Sequence, residues 1–244
     1  MTPRNRTVPL PVPARGGPLG TVPGKRIVTL VFTDMEGSTH LLGALGDAFL
    51  PVLERQRAIL GTAAAGHGGT GYATGGDGCV FLFDSASGAL AAAVEAQRAV
   101  AVERWPTGVS VRVRMAIHAG EVADLGDELF GMAMHHASRM LGVSHGGQVL
   151  LSGAAVGLIT EPLPGIALRD LGSYRLRDVV RPVQLHQAVA DGIPESFPPQ
   201  HAATSRSGTL PAPTTSFVGR ERQLEELVDL LATRRLVHQH QPRA

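Results

Sequence analysis

The stretch Arg26-Ile-Val-Thr-Leu-Val-Phe-Thr-Asp-Met-Glu-Gly-Ser-Thr39 constrains this chain more than any other. Its first half, Ile27 to Phe32, is a mainly apolar, β-branched run, the composition of a buried strand. The run delivers a carboxylate, Asp34, to its own end, and Glu36, Gly37, Ser38 and Thr39 follow. An acid at the lip of a sheet beside a Gly turn is a common way to place a metal ligand. Ser38 and Thr39 suit the cap of a following helix, whose first amides would face an anion. Taken together these features describe a metal–phosphate site. The stretch alone fits an ordinary buried strand and turn equally well.

Composition narrows the classes. The formal charge of +1 argues against a dedicated nucleic-acid surface. A single cysteine, Cys79, excludes an internal disulfide and fits a reducing cytoplasm. No apolar run reaches the ~20 residues that span a bilayer. Lys25 is the only lysine, so every other strong base is Arg.

Residues 1–24, rich in Pro, Gly and Arg, read as a disordered leader. From Leu41 to Ala65 apolar residues recur at helical spacing, with Gly43 and Gly46 delaying the solid helix to near Asp47. Tyr72 to Asp84 reads as a hairpin turning at Gly75-Gly-Asp-Gly78, with Cys79 to Phe83 as its second strand. Ser85 to Trp105 is an Ala-rich helix with a serine cap. Val109 to Glu121 alternates Val109, Val111, Val113, Met115 and Ile117 against Ser110, Arg112 and Arg114, a strand with one covered face. His118 falls on its polar side and reads as structural. Met132 to Leu141 is helical and carries His135, His136 and Arg139; the two histidines are adjacent, so they face different sides and do not share a metal. Short strands at 146–151, 166–176 and 183–189 complete the pattern. The class is α+β: a ferredoxin-like, split βαβ core, a mostly antiparallel sheet with helices on one face, and extra C-terminal strands.

The second acid decides the reading. Asp77 sits in a Gly-bracketed turn beside a strand that neighbours the first in such a sheet, so Asp34 and Asp77 converge. Two carboxylates repel unless a cation lies between them, and hard oxygen donors suit Mg²⁺ or Mn²⁺ bridging to phosphate. At this point the chain resembles the catalytic domain of class III adenylate/guanylate cyclases. Val31 to Thr39, Gly75 to Gly78 and Phe130 to Arg139 carry the resemblance. Ala116 to Glu121, His145 to Ser152 and Leu168 to Asp178 support it in the same order.

The resemblance implies a two-metal mechanism at sites shared by a head-to-tail homodimer. Asp34, Asp77 and the Met35 carbonyl would hold two Mg²⁺ or Mn²⁺ ions. The backbone of Met35, Glu36, Gly37, Ser38 and Thr39 would cradle the phosphates of ATP or GTP. Arg139 of the other subunit would stabilise charge at the α-phosphate. Three positions depart from the family pattern. Its purine-reading lysine is Ala73 here, its purine-reading aspartate is Glu128 with Asp127 adjacent, and its ribose-orienting asparagine is His135. The metal centre and the arginine remain while base selection is degraded.

The expected function is therefore conversion of ATP to 3′,5′-cyclic AMP and pyrophosphate, weak or relaxed in purine choice, in a cytoplasmic homodimer. The expectation includes no direct nucleic-acid binding and no membrane span. The alternative is a catalytically impaired nucleotide-binding and dimerisation module in signal transduction. The expected layout is a leader at 1–24, the cyclase domain at 25–190, a Pro- and Ser-rich linker at 191–215, and at 216–244 the truncated start of a regulatory ATPase domain. Leu210 to Glu221 resembles the approach to the ATPase domain that follows this cyclase type in large actinobacterial-type transcriptional regulators. No G-x-x-x-x-G-K-[ST] loop follows, which reads as a shortened relative or a frameshifted fragment.

Overall fold

The computed structural model describes residues 24–106, 108–125, 128–200 and 203–204; of these, 73–75, 125, 128, 203 and 204 are described by their backbone alone. The expected leader up to residue 23 and the expected ATPase start at 216–244 lie outside the described residues.

Strand β1 (Lys25–Met35) is the apolar run that opened the sequence reading. A short helix α1 (Ser38–Leu45) follows, earlier than the expected helix start. Gly46, at φ 54, ends it, and a single 3-10 turn leads into α2 (Phe49–Gly66). Then come β2 (Thr70–Gly75), β3 (Gly78–Phe83) and α3 (Ala86–Val102). Helix α3 is capped by Ser85, whose Oγ accepts from the Gly88 amide at 3.2 Å. β4 (Val113–Leu125) and β5 (Glu128–Phe130) form a hairpin. The chain continues through α4 (Met132–Leu141), β6 (Val149–Ser152), α5 (Gly153–Val156), β7 (Ile166–Arg175), β8 (Val183–Ala190) and β9 (Ala203–Thr204).

The sheet order is β2-β3-β1-β4-β6-β8-β7-β9, with β5 on the end of β4. Among the described residues only β4 and β6 pair in parallel, so the sheet is mostly antiparallel. Alternation along β1 and β4 sends two sets of side chains to two faces. Val31, Met35, Val113, Met115 and Ile117 pack with α2, α3 and α5. Val28, Leu30 and Val122 pack instead with Ala133 and Ala137 of α4, while Ala116, Leu150 and Leu185 meet Met140. The expected helical layer thus holds α2, α3 and α5, and α4 crosses the opposite face. For that reason β4 has both faces covered, where the alternation suggested one. Arg112 and Arg114 gave a polar reading to a face that continues as Ala116, His118, Gly120 and Val122, which lies beneath α4.

The segment expected to begin the linker lies against the sheet over its first ten positions. Arg98 Nε donates to the Asp191 carbonyl at 2.7 Å, Gln187 Nε2 donates to the Glu195 carbonyl at 2.8 Å, and Ile193 is buried. Phe197 stacks on His145 with ring centroids 6.1 Å apart.

Candidate active site

The register of three strands builds the site. Thr33 pairs with Cys79 across β1 and β3. Thr33 Oγ1 donates to the Cys79 carbonyl and accepts from the Cys79 amide, both at 3.2 Å. This lock lies one residue before Asp34 and two after Asp77. The β2–β3 turn closes over Gly76 and Asp77, with Gly76 at φ 60, a conformation that favours glycine. The Arg57 guanidinium reaches from α2 to the Gly76 carbonyl. As a result the Asp77 carboxylate comes to the end of β1, where its Oδ2 accepts from the Met35 amide at 3.1 Å.

Asp34 and Asp77 therefore meet, 43 positions apart in the chain. Burial pushes the Asp34 carboxyl above its ordinary range, and the Asp77 charge adds to the push. The Arg114 guanidinium opposes it by ion-pairing with Asp34. The β1–β4 register, Asp34 opposite Arg114, explains that pair. Sequence reasoning placed Arg114 on a polar face and gave it no role in the site. The missing signal was the register, because nothing in the local sequence says which β4 residue stands beside Asp34. The Arg114 Nε is buried without a hydrogen-bond partner.

These donors fit a divalent ion. Mg²⁺ and Mn²⁺ typically take one or two carboxylates and leave other positions to water and phosphate. Two repelling carboxylates, with a cationic side chain already drawn to one of them, match that demand. Among the described residues no three His, Cys, Asp or Glu side chains cluster as a complete protein cage. A site completed by a triphosphate does not require one.

The expected phosphate cradle is narrower than Met35 to Thr39. The Met35 amide is committed to Asp77, and the Glu36 amide donates to the Arg112 carbonyl at 2.8 Å. What remains is the N-terminus of α1: Gly37, at φ 70, with Ser38 and Thr39, where no side chain caps the helix. The Glu36 carboxylate acts as a strut. It accepts from the Gly146 amide at 2.9 Å and ion-pairs with Arg112 at 2.8 Å.

The two expected purine-reading segments also meet. Ala73 lies on β2 and Glu128 on β5, and the Leu129 amide donates to Tyr72 Oη at 2.7 Å. Asp127 lies outside the described residues. His135 and Arg139 are exposed, one turn apart on the outward side of α4. Arg139 is engaged with Asp178 at 2.6 Å, in the connection from β7 to β8, and Arg177 stands 3.6 Å from the same carboxylate. In the sheet order β4 and β6 separate β1 from β8. β1 and β8 run in the same direction, so the connection into β8 that holds Asp178 lies at the end of the sheet opposite Asp34. Within one chain the acids are therefore not brought together with Arg139.

His118 lies beneath α4 with its Nδ1 2.8 Å from Ser152 Oγ. Burial, then the neighbouring His136, lowers its pKa from 6.5 to about 4. A histidine held neutral in the fold loses its contribution as pH falls, because the unfolded chain takes the proton first. Acidification from pH 6.5 to 4 is thus expected to remove up to about 3 kcal/mol of stability through this group. Urea midpoints measured across that range should fall more gently in His118→Gln than in the wild-type chain.

Comparison with known proteins sets this geometry in a class. No family model matches the chain. The fold matches that of solved adenylate cyclases from Trypanosoma brucei, with a TM-score of 0.66 and 23% identity over 74% of this chain and 95% of that one. It also matches an adenylate/guanylate cyclase/hydrolase from Silicibacter pomeroyi, with a TM-score of 0.60 and 26% identity over 69% of this chain and 99% of that one. A receptor-type adenylate cyclase of Trypanosoma equiperdum is 25% identical over 203 residues, 66% of this chain and 43% of the relative. The chain thus has the fold of adenylate/guanylate cyclase catalytic domains. An uncharacterized protein of Mycobacterium tuberculosis is 35% identical over 227 residues, covering 91% of this chain and 76% of the relative. Among the described residues no helix is long and apolar enough to cross a membrane.

Proposed function

We propose that this chain is one subunit of a homodimeric nucleotide cyclase that converts ATP to 3′,5′-cyclic AMP and pyrophosphate. The observation that carries the reading is the meeting of Asp34 and Asp77, with Asp77 tied to the Met35 amide. Bound Mg²⁺ or Mn²⁺ would supply Lewis acidity at the phosphates and lower the pKa of the ribose 3′-hydroxyl. Asp34, Asp77 and the Met35 carbonyl would hold the ions. The first-turn amides of α1 at Gly37, Ser38 and Thr39 would receive the terminal phosphates.

Balance requires that the 3′-oxygen bond to the α-phosphorus as the bond to the β-phosphate oxygen breaks. The hydroxyl proton passes to solvent and pyrophosphate departs. Negative charge builds on the oxygens around the α-phosphorus, and Arg139 of a second subunit is suited to stabilise it. Separation of Arg139 from the acids within one chain supports a site completed by two. Arg114 adds a guanidinium on the Asp34 side, positioned for the triphosphate once an ion takes its place at the carboxylate.

Two consequences are measurable. Arg114→Met removes a cation that competes for Asp34. It should tighten Mn²⁺ binding in the nucleotide-free protein by about fivefold or more, the equivalent of about 1 kcal/mol for a unit pair at 4 Å in water, while turnover falls. Manganese titration followed by the spin-resonance signal checks the first part. Ala73→Lys restores a purine-reading donor, and the ATP-to-GTP ratio of kcat/KM should shift by at least about tenfold, as restoring a hydrogen-bond partner to a base does.

The direct test of the reading is a product assay on purified protein with ATP or GTP and Mn²⁺. Cyclic nucleotide and pyrophosphate in equal amounts support it, and their absence removes it. A second reading, nucleotide binding with dimerisation but no turnover, is favoured by Ala73 and His135 standing where the family carries its lysine and asparagine. Calorimetry showing nucleotide binding without product would select that reading.

A further inference from the structure

Between the β4–β5 hairpin and α4 lies a groove of about 450 Å³ lined in part by His118, Glu121, Phe130, Met132 and His136. It is built from side chains that the proposed cyclase chemistry does not use. We propose that His118 and His136 form a separate binding site there for a borderline transition-metal dication, Zn²⁺ in the first place.

The geometry suits such an ion. The two rings stand 5.2 Å apart, centroid to centroid, at 67°. With metal–nitrogen bonds of about 2.0–2.1 Å, each ring centroid stands about 3.2 Å from the ion, and a tetrahedral angle then puts the centroids about 5.2 Å apart. His118 is already oriented by its other nitrogen, since Nδ1 lies 2.8 Å from Ser152 Oγ. Ser152 Oγ is fixed in turn by accepting from the Ala155 amide at 3.1 Å. When Nδ1–H donates to that oxygen, Nε2 presents its lone pair, which is how metal-binding histidines are commonly held. His118 Nε2 lies 3.3 Å from where a Cβ on Gly120 would stand, so glycine keeps that side of the groove open.

Burial takes His118 to about 4 and lowers His136 as well, a direction that favours the neutral ring a metal takes. Lys25, the cation lining this groove, is paired with Glu121 at 2.7 Å. Imidazole nitrogens select Zn²⁺, Cu²⁺ or Ni²⁺ over Mg²⁺, in contrast to the hard oxygens of Asp34 and Asp77. Two protein nitrogens leave the remaining positions to water in the groove, consistent with the lack of a three-residue cluster among the described residues. An ion held here cross-links β4 to α4, three positions before Arg139, so its occupancy couples to the helix that carries that arginine.

The test is calorimetric titration of the full-length protein with ZnCl₂ in excess Mg²⁺, which occupies the acid pair and leaves the imidazoles available. Wild type should show a site that weakens by about 100-fold in His136→Leu and in His118→Gln, with Zn²⁺ raising the melting temperature of the wild type alone. Melting of each variant in chelator controls for folding, and His136→Gln replaces His136→Leu if the latter melts early. Zn²⁺ isotherms unchanged in His136→Leu would overturn the proposal. So would loss in only one of the two histidine variants, which would place the ion elsewhere. Neither result depends on cyclase activity, so this site and the cyclase reading stand or fall separately.

Discussion

Asp34→Asn and Asp77→Asn should each lower metal-dependent turnover by well over 100-fold, while the chain stays folded. The size follows from the proposed role: disturbing a partner beyond the direct ligands of a metal already costs about 10–100-fold, and on that reading these changes remove a ligand itself. The retained fold follows from the surroundings. Asp34 is a desolvated carboxylate pressed against Asp77, so its charge costs stability in the metal-free protein. Its pKa is raised, which means the fold favours the protonated acid. Stability contributed by this group is therefore present at low pH and is lost as pH rises through the folded value. Asn at 34 removes that loss but leaves Arg114 without its partner, so the net change in melting temperature at pH 7 should be small. Initial rates with Mn²⁺, together with melting curves in chelator, check both halves.

Arg139→Ala should lower kcat by about 10³-fold with little change in KM, because on the proposed reading the charge it would meet exists only in the transition state. The sharper expectation concerns mixtures. An Asp77→Asn subunit carries an intact Arg139, and an Arg139→Ala subunit carries intact acids. If sites are shared, refolding the two inactive variants together rebuilds one competent site in each mixed dimer. Activity then returns to about a quarter of wild type, since half of the dimers are mixed in a random assortment and each holds one of two sites. Mixtures that remain as inactive as their components would show that the acids and the arginine act within one chain.

Much of this was legible in the sequence because it is local. The apolar run to Phe32 announced β1, the Gly75 to Gly78 cluster announced a turn, and the serines at 85 and 87 announced the start of α3. The convergence of Asp34 and Asp77 was also readable, since a hairpin strand beside the first strand leaves those two turn ends adjacent. What escaped was set by register and by layer. Arg114 stands by Asp34 because β1 and β4 align Asp34 with it, and a shift of one residue would have sent its side chain to the other face. His118 looked like the polar side of a half-exposed strand until α4 proved to cover it. The commitment of the Met35 and Glu36 amides depends on partners 42 and 76 positions away, beyond the reach of any motif. Residues 191–200 read as linker from their Pro and Ser content, yet Ile193 and Phe197 pack against the domain. Composition reports what a segment cannot do by itself, not what its neighbours offer it.

The central claim is that the carboxylates of 34 and 77 gather divalent cations beneath a triphosphate. The most direct measurement is the number of Mn²⁺ ions bound per subunit, followed by spin resonance, in the presence of an unreactive ATP analogue. The account predicts two tightly held ions in the wild-type protein and fewer in Asp77→Asn, with analogue affinity falling in step. Equal manganese binding in the two proteins would contradict it.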